Sequence, residues 1–234
     1  MKSFDYKMLA AAAVALAIST ASAQAASTPA ASTAAAPTAS PQDANSVVAQ
    51  LTQRMDAVSS YSARIKLDLQ MHSFPYIATD LTGTTTYQRP GHYSVTFDSL
   101  PALASAFQNV SGDIGDPAAW PAKYDIALDP SASASTSLVA LRLTEKVKGQ
   151  IDHALAFVNV PAYTVSRMEW YYVSGGKILM DQRFATVNGV LVPSIQAADI
   201  DMPGYKASAN AVFEGYDVHV GSTSGTTSTP TSNK

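Results

Sequence analysis

The segment YSARIKLDLQM, residues 61–71, alternates between apolar and polar side chains along its whole length. Successive side chains of a strand point to opposite faces, so this pattern predicts an antiparallel strand with one buried and one solvated face. The alternation leaves open whether the apolar face packs against a core or lines a binding cavity. That face holds Tyr61, Ala63, Ile65, Leu67, Leu69 and Met71.

The N-terminal residues have the order of a secretory signal peptide. Two lysines precede an apolar stretch over residues 8–18, and small residues follow it. We predict a signal peptide over residues 1–23, cleaved after Ala23 or, as the next choice, after Ala25. The alternative is a retained membrane anchor, but the apolar run is shorter than the about 20 residues that span a bilayer.

Composition excludes several classes of protein. The chain has no cysteine, which rules out disulfides, a cysteine-ligated metal site and a lipid-modified N-terminal cysteine. Cleavage would leave 211 residues with 13 Lys+Arg, 17 Asp+Glu and a net charge of −4. Such a chain has no basic field to attract phosphates, so nucleic acid is not an expected partner. We predict a soluble protein of the periplasm.

The chain divides into one domain between two low-complexity segments. Residues 24–42 are almost entirely Ala, Ser, Thr, Pro and Gln, and residues 221–234 have a similar composition. Such segments bury too little apolar surface to offset their ordering entropy, so we predict a disordered linker and a disordered tail. Residues 43–220 form a domain of ordinary size.

Helical and strand patterns follow one another within this domain. Asp43 or Asn45 can cap a first helix, whose apolar stripe is predicted to run to Val58 and to end at Ser59-Ser60. A short helix is predicted within residues 100–107, irregular chain follows around Trp120, and residues 151–159 are ambiguous. Strands are predicted over residues 61–71, 81–88, 93–97, 124–128, 138–145, 163–173, 177–185 and 190–198, with one or two more in 205–220.

These elements predict a mainly β fold of the α+β kind. A sheet of roughly nine to eleven strands, joined mostly by tight turns, tends to curl toward a barrel. About eight strands make a barrel that side chains just fill or that holds one small ligand. We therefore expect an incomplete antiparallel β-barrel with room for a cavity unless helices plug it.

Two segments resemble the LolA superfamily of periplasmic lipoprotein carriers. They are LTQRMDAVSSYSARI (51–65) and GTTTYQRPGHYSVTF (83–97), and the similarity is closest over residues 51–97. The resemblance implies a barrel that wraps over an N-terminal helix and short lid helices, around a hydrophobic cavity for acyl chains. It also implies a monomeric carrier or chaperone that meets membrane-bound donor and acceptor proteins. The segment 98–122 departs from the family pattern, which puts the lid and the cargo in doubt.

The resemblance also suggests roles for particular residues. Arg89, in the Gln-Arg-Pro run, occupies the position of an arginine that holds the lid shut in lipoprotein carriers. The alternative is a solvated turn residue that stacks on Tyr87 or Tyr93. Apolar residues of the predicted strands are expected to line the cavity: Ile65, Leu67, Leu69, Met71, Tyr93, Met168, Trp170 and Met180.

No constellation of residues indicates catalysis or a cofactor. The four histidines are scattered, and only Asp217 and His219 have close ligand spacing, which is too few ligands for a retained metal. No Gly-x-Ser-x-Gly motif is present, and Ser174-Gly-Gly-Lys177 is predicted as a hairpin turn. We expect no enzyme activity. The leading hypothesis is an acyl-chain carrier; the alternatives are a lipid-sensing or protein-binding regulatory module and, last, an enzyme.

Overall fold

The structure, a computed structural model, describes residues 43–220 except 75, 90, 100–115, 134, 136 and 161. The predicted signal peptide, linker, tail and short helix within 100–107 lie outside the described residues. Neither helix found in the described part of the chain is long and apolar enough to cross a membrane.

Strands dominate the described residues. The two helices are α1 (Ala44–Met55) and the four-residue α2 (Trp120–Lys123), so buried Trp120 begins a helical turn rather than irregular chain. The ten strands are β1 (Val58–Met71), β2 (Ala78–Gln88), β3 (His92–Phe97), β4 (Tyr124–Leu128), β5 (Leu138–Glu145), β6 (Ile151–Asn159), β7 (Thr164–Tyr172), β8 (Lys177–Val187), β9 (Val190–Met202) and β10 (Tyr205–Val220).

All ten strands form one open antiparallel sheet in the order β3-β2-β1-β10-β9-β8-β7-β6-β5-β4. The predicted mainly β, antiparallel class is confirmed, and the ambiguous residues 151–159 are strand β6. Each strand pairs with its neighbour along the chain, except that β3 and β4 do not pair with each other. β3 and β4 are the two edges, and β1 pairs with β10, the last strand.

Strand β1 has the two faces that its alternation predicts. Its apolar parity is buried from Tyr61 to Leu69 and half-buried at Met71, whereas Arg64 and Lys66 on the other parity are exposed. We call the apolar parity of this strand, and the buried side chains that continue it on the other strands, the inner face.

Helix α1 begins as predicted but ends earlier. The carboxylate of Asp43 caps it by accepting a hydrogen bond from the backbone N–H of Ser46 at 2.8 Å. The buried side chains of Val47 and Leu51 belong to the same apolar core as the sheet. The predicted end at residues 59–60 is wrong, because α1 stops at Met55 and the chain from residue 58 pairs with β10 and β2.

Candidate functional site

Side chains from strands far apart in the sequence form continuous rows across the inner face. The pairing registers of β1, β10, β9, β8 and β7 place one row in the order Leu69, Ala209, Ala198, Met180, Met168. All five side chains are buried. The structure therefore brings Leu69 onto the same face as the two methionines, although they lie far from it in the sequence.

A second row runs beside the first. It follows the order Met71, Ala207, Ile200, Ile178, Trp170 across the same five strands. Trp170 is buried, and Met71 is half-buried at the end of its strand. With Leu67 of a third row, these rows contain six of the eight predicted cavity residues, and the other two, Ile65 and Tyr93, lie on the same inner face in further rows.

Alanine separates the larger side chains within these rows. Ala207, Ala209 and Ala211 of β10 and Ala198 of β9 are all buried on the inner face. The methyl group of alanine projects much less far from the backbone than the side chains of the leucines of β1 or the methionines of β7 and β8. The middle of the sheet therefore presents a low apolar strip between two taller walls.

The third row ends in a buried pair of amides. It runs in the order Leu67, Ala211, Gln196, Gln182, and both glutamines are buried. Gln182 Nε2 donates to the backbone carbonyl of Val165 at 2.8 Å, and Gln196 Nε2 donates to Gln182 Oε1 at 2.8 Å. The Val165 carbonyl can only accept, so it fixes the direction of this chain of hydrogen bonds.

The last group in this series of hydrogen bonds is an unpaired acceptor. Gln196 Oε1 is buried and has no hydrogen-bond partner among the described residues. Its neighbours Ala198 and Ala211 on the inner face carry no polar side-chain group. A buried acceptor without a donor lowers the free energy of unfolding by about 1–3 kcal/mol, so this oxygen is an unsatisfied polar atom beside apolar neighbours.

The two glutamines should differ in their effect on stability when each is replaced by methionine, which has a similar length. Gln182→Met removes the donor to the Val165 carbonyl and the acceptor of Gln196 Nε2. Gln196→Met leaves only Gln182 Oε1 without its donor, and it also removes an oxygen that is already unpaired. We expect Gln182→Met to lower the free energy of unfolding by about 2 kcal/mol more than Gln196→Met does. Urea unfolding of both variants measures this difference, and equal losses would contradict the direction assigned to the amide chain.

Tyrosines form a cluster where β1, β2 and β10 meet near α1. The ring of Tyr61 stacks on Tyr87 at a centroid distance of 5.3 Å and meets Tyr216 edge-on at 5.5 Å. Tyr93, a predicted cavity residue, is buried, and its hydroxyl oxygen accepts a hydrogen bond from Thr85 Oγ1 at 2.5 Å. Burial raises the pKa of Tyr61, Tyr93 and Tyr216, so these hydroxyls stay neutral well into the alkaline range.

Arg89 connects the turn between β2 and β3 to the end of helix α1. Its guanidinium Nη1 donates to the backbone carbonyl of Asp56 at 2.7 Å, and its Nε lies 3.6 Å from the Asp56 carboxylate. Asp56 is the residue that ends α1. Among the described residues, Arg89 therefore bonds to the C-terminus of α1.

Metal-ligating side chains are dispersed in the part of the chain that the structure describes. No three of its histidine, aspartate and glutamate side chains converge as a metal site would require. His219 Nε2 lies 3.6 Å from Asp217 Oδ2, and both side chains are largely exposed.

Three solved structures share this architecture. A DUF1329 family protein from Desulfovibrio piger is 12% identical, with a TM-score of 0.55 over 75% of this chain and 91% of the other. A LolA superfamily protein from Nitrosomonas europaea is 13% identical, with a TM-score of 0.55 over 76% and 94%. A domain named as an outer membrane lipoprotein-sorting protein, from Vibrio parahaemolyticus, is 11% identical, with a TM-score of 0.53 over 74% and 91%.

The protein has the fold of the LolA superfamily. The similarity spans three quarters of the chain, which extends well beyond residues 51–97. No family model and no curated protein matches the sequence. The likeness therefore lies in the arrangement of strands rather than in the identity of residues.

Within the LolA fold, the predicted site residues fall into two groups. Ile65, Leu67, Leu69, Met168, Trp170 and Met180 are buried side chains of the inner face, and Met71 lies at its margin. Tyr93 is also on the inner face, since it pairs with Tyr87, which pairs with Tyr61, and Arg89 contacts the end of α1. The lining of a cavity by the first group, and the gating role of Arg89, remain predictions. The Gln182–Gln196 pair was not predicted, because nothing local indicates that two glutamines 14 positions apart meet until the strands are paired.

Proposed function

We propose that this protein is a periplasmic carrier or chaperone that binds acyl chains of lipoproteins or lipids on its inner face. In this proposal the sheet curls into an incomplete barrel over α1 and a lid, and the loaded monomer moves between membrane-bound donor and acceptor proteins. The observation that carries the proposal is the pair of apolar rows that join β1 to β7 across a strip of alanines. The LolA fold supports it. No catalytic step is part of it.

The energetics explain why a carrier is needed. Each buried CH₂ group contributes about 0.8 kcal/mol, so an acyl chain of ordinary length costs roughly 10 kcal/mol in water. A binding face must recover most of this free energy but not all of it, because the cargo has to leave. Met168 and Met180 suit such a face, since their unbranched side chains adapt to contents of variable shape.

Arg89 would supply a small barrier to opening. Its hydrogen bond to the Asp56 carbonyl contributes roughly 1 kcal/mol, because both side chains are about half exposed and solvent screens their charges. A contact of this size can hold the end of α1 against the sheet in the empty carrier and can yield when cargo enters.

Native mass spectrometry of the purified protein, with titration of a fluorescent fatty acid, tests the proposal. The informative variant is Ala209→Leu, which fills the alanine strip, and its control is Asn210→Leu, which places the same side chain on the exposed face of β10. We expect co-purified lipid and probe binding in the wild type, about tenfold weaker probe binding in Ala209→Leu, and wild-type binding in Asn210→Leu.

A wild-type protein that neither co-purifies with lipid nor binds the probe would contradict the carrier proposal. In that case Ala209→Leu should also be destabilised by about 1–3 kcal/mol, because the added side chain would enter a core that is already filled. Thermal unfolding of the same variants therefore separates an accommodating inner face from an ordinary core.

A further inference from the structure

The sheet order collects four connections at one end of the molecule. They are the described residues of the loops 72–77 (without residue 75), 146–150, 173–176 and 203–204, which join β1 to β2, β5 to β6, β7 to β8 and β9 to β10. Pairing of Tyr124 with Glu145 places the start of β4 at the same end. We call these loops, with the two strand residues on either side of each, the first two residues of β4 and the adjoining C-terminus of α2, the basic end.

Large apolar side chains project into solvent from three of these loops. Phe74 is 80% exposed, Tyr76 77%, Val147 84% and Val173 71%. Two other large apolar residues of the described chain are exposed, Leu128 and Val220, and both lie at the opposite end and are less exposed, at 37% and 55%. Exposed apolar side chains that gather at one end of a protein indicate an interaction site there.

The lysines are collected at the same end. Six lysines occur between residues 43 and 220, and only Lys66 lies in the middle of a strand away from this end. The basic end has the other five: Lys123, Lys146, Lys148, Lys177 and Lys206. None of the arginines of residues 43–220 lies there.

The charge of the basic end differs from that of the rest of the chain. Its five lysines stand among four acidic residues, whereas the whole chain carries a net charge of −3. A molecule with this distribution approaches an anionic surface with its basic end first, because the acidic remainder is repelled. The acidic residues are Asp125, Glu145, Asp152 and Asp201.

The spacing of the exposed apolar side chains matches a flat binding surface better than a single pocket. They lie on separate loops from the β1–β2 connection to the β5–β6 connection, about six strand spacings of roughly 5 Å apart along the sheet. Lys146 and Lys148 flank Val147 in the loop 146–150, and Lys177 and Lys206 lie on the strands that follow the loops 173–176 and 203–204. Apolar tips that enter a bilayer interface, with lysines reaching the lipid phosphates, have this alternating arrangement.

We propose that the basic end docks on the surface of an anionic lipid bilayer. Phe74, Tyr76, Val147 and Val173 enter the headgroup region, and Lys148 and Lys177 contact lipid phosphates, whereas Lys146 and Lys206 already donate to the Pro121 carbonyl and to Asp201. Docking is peripheral and reversible, because it uses loop tips and no spanning element. It goes beyond acyl-chain binding on the inner face and does not depend on it, since none of these side chains belongs to the inner face.

Vesicle sedimentation of the full chain tests this proposal. The vesicles contain phosphatidylcholine alone or phosphatidylcholine with phosphatidylglycerol in equal parts. One variant combines Phe74→Ser with Tyr76→Ser, and a second combines Lys148→Gln with Lys177→Gln. The control variant combines Leu128→Ser with Val220→Ser at the opposite end.

We expect the wild type to bind the vesicles that contain phosphatidylglycerol, and added salt to weaken this binding. The aromatic variant should bind about tenfold more weakly and the lysine variant about fivefold more weakly, with the control unchanged. A wild type that remains in the supernatant, or a control that loses as much binding as the aromatic variant, would overturn the proposal. All variants should keep the wild-type affinity for the fluorescent fatty acid, which separates failure of docking from failure of the carrier function.

Discussion

The protein is expected to lose its stability steeply between about pH 10 and pH 12. In the unfolded chain tyrosine ionises near pH 10, but burial raises the pKa of Tyr61, Tyr93 and Tyr216 in the folded state and raises that of Tyr172 to about 12. Above pH 10 the unfolded state therefore binds fewer protons than the folded state. The free energy of unfolding then falls as pH rises, by up to about 1.4 kcal/mol per pH unit for each tyrosine.

Two buried tyrosines, Tyr61 and Tyr93, and two half-buried ones, Tyr172 and Tyr216, together give a slope of up to roughly 5 kcal/mol per pH unit, which is large beside the total stability of a typical domain. Below the unfolded pKa the contribution is present in full, so the loss belongs to the alkaline side alone. Urea unfolding at a series of pH values measures the slope. Tyr61→Phe should reduce it by about 1.4 kcal/mol per pH unit, whereas Tyr76→Phe, at an exposed position, should leave it unchanged. A free energy of unfolding that stays flat from about pH 9 to pH 12 would contradict the burial of these hydroxyls.

Trp170→Ala is expected to lower the free energy of unfolding by about 3–5 kcal/mol. Trp170 is 2% exposed in the second row of the inner face. Its neighbours across the sheet are Ala154 on β6 and Ile178 on β8. Alanine at position 154 has no side chain that could move into the vacated volume, so the cavity term of the substitution should be close to its full size.

Tyr171→Ala is the matched control, because residue 171 lies next in the strand and on the other face. The Tyr171 ring stacks on His153 at 4.5 Å, and its hydroxyl donates to Glu169 Oε2 at 2.7 Å. Loss of these partly exposed contacts should cost about 1 kcal/mol. If chemical denaturation shows equal losses for Trp170→Ala and Tyr171→Ala, then Trp170 borders open volume in the cargo-free protein, as a residue that lines a preformed cavity would.

Local periodicity was enough to predict most strands and their faces. The parity of residues 61–71 is confirmed along the whole strand, and the observed bounds of β4 and β5 coincide with the predicted ranges 124–128 and 138–145. These predictions succeed because the side-chain period of a strand is two wherever one face is buried and the other is solvated. The turn at Arg89 was predicted for the same reason, since Pro and Gly interrupt two alternating runs.

Predictions were poor where this period is broken or where the outcome depends on a distant strand. In β6, Ala154, Leu155 and Ala156 are buried in succession, so residues 151–159 show no alternation. Helix α1 stops at Met55 because the chain that follows pairs with β10, a constraint that no local pattern contains. Gln182 meets Gln196 through the register of β8 and β9, and Arg89 meets Asp56 through the packing of α1.

The pairing of the first strand with the last sets the order in which the molecule can fold. The hairpins of β1–β3 and the meander of β4–β10 are each built from neighbours in sequence, but the ladder that joins them pairs Val58 with Val220 and Met71 with Ala207. Closing so long a loop is entropically costly and slow, and it comes after the local hairpins have formed. Until residues 205–220 are available, β1 has a partner on one side only, and the inner-face rows cannot be assembled. The complete sheet can therefore form only after β10 has paired with β1.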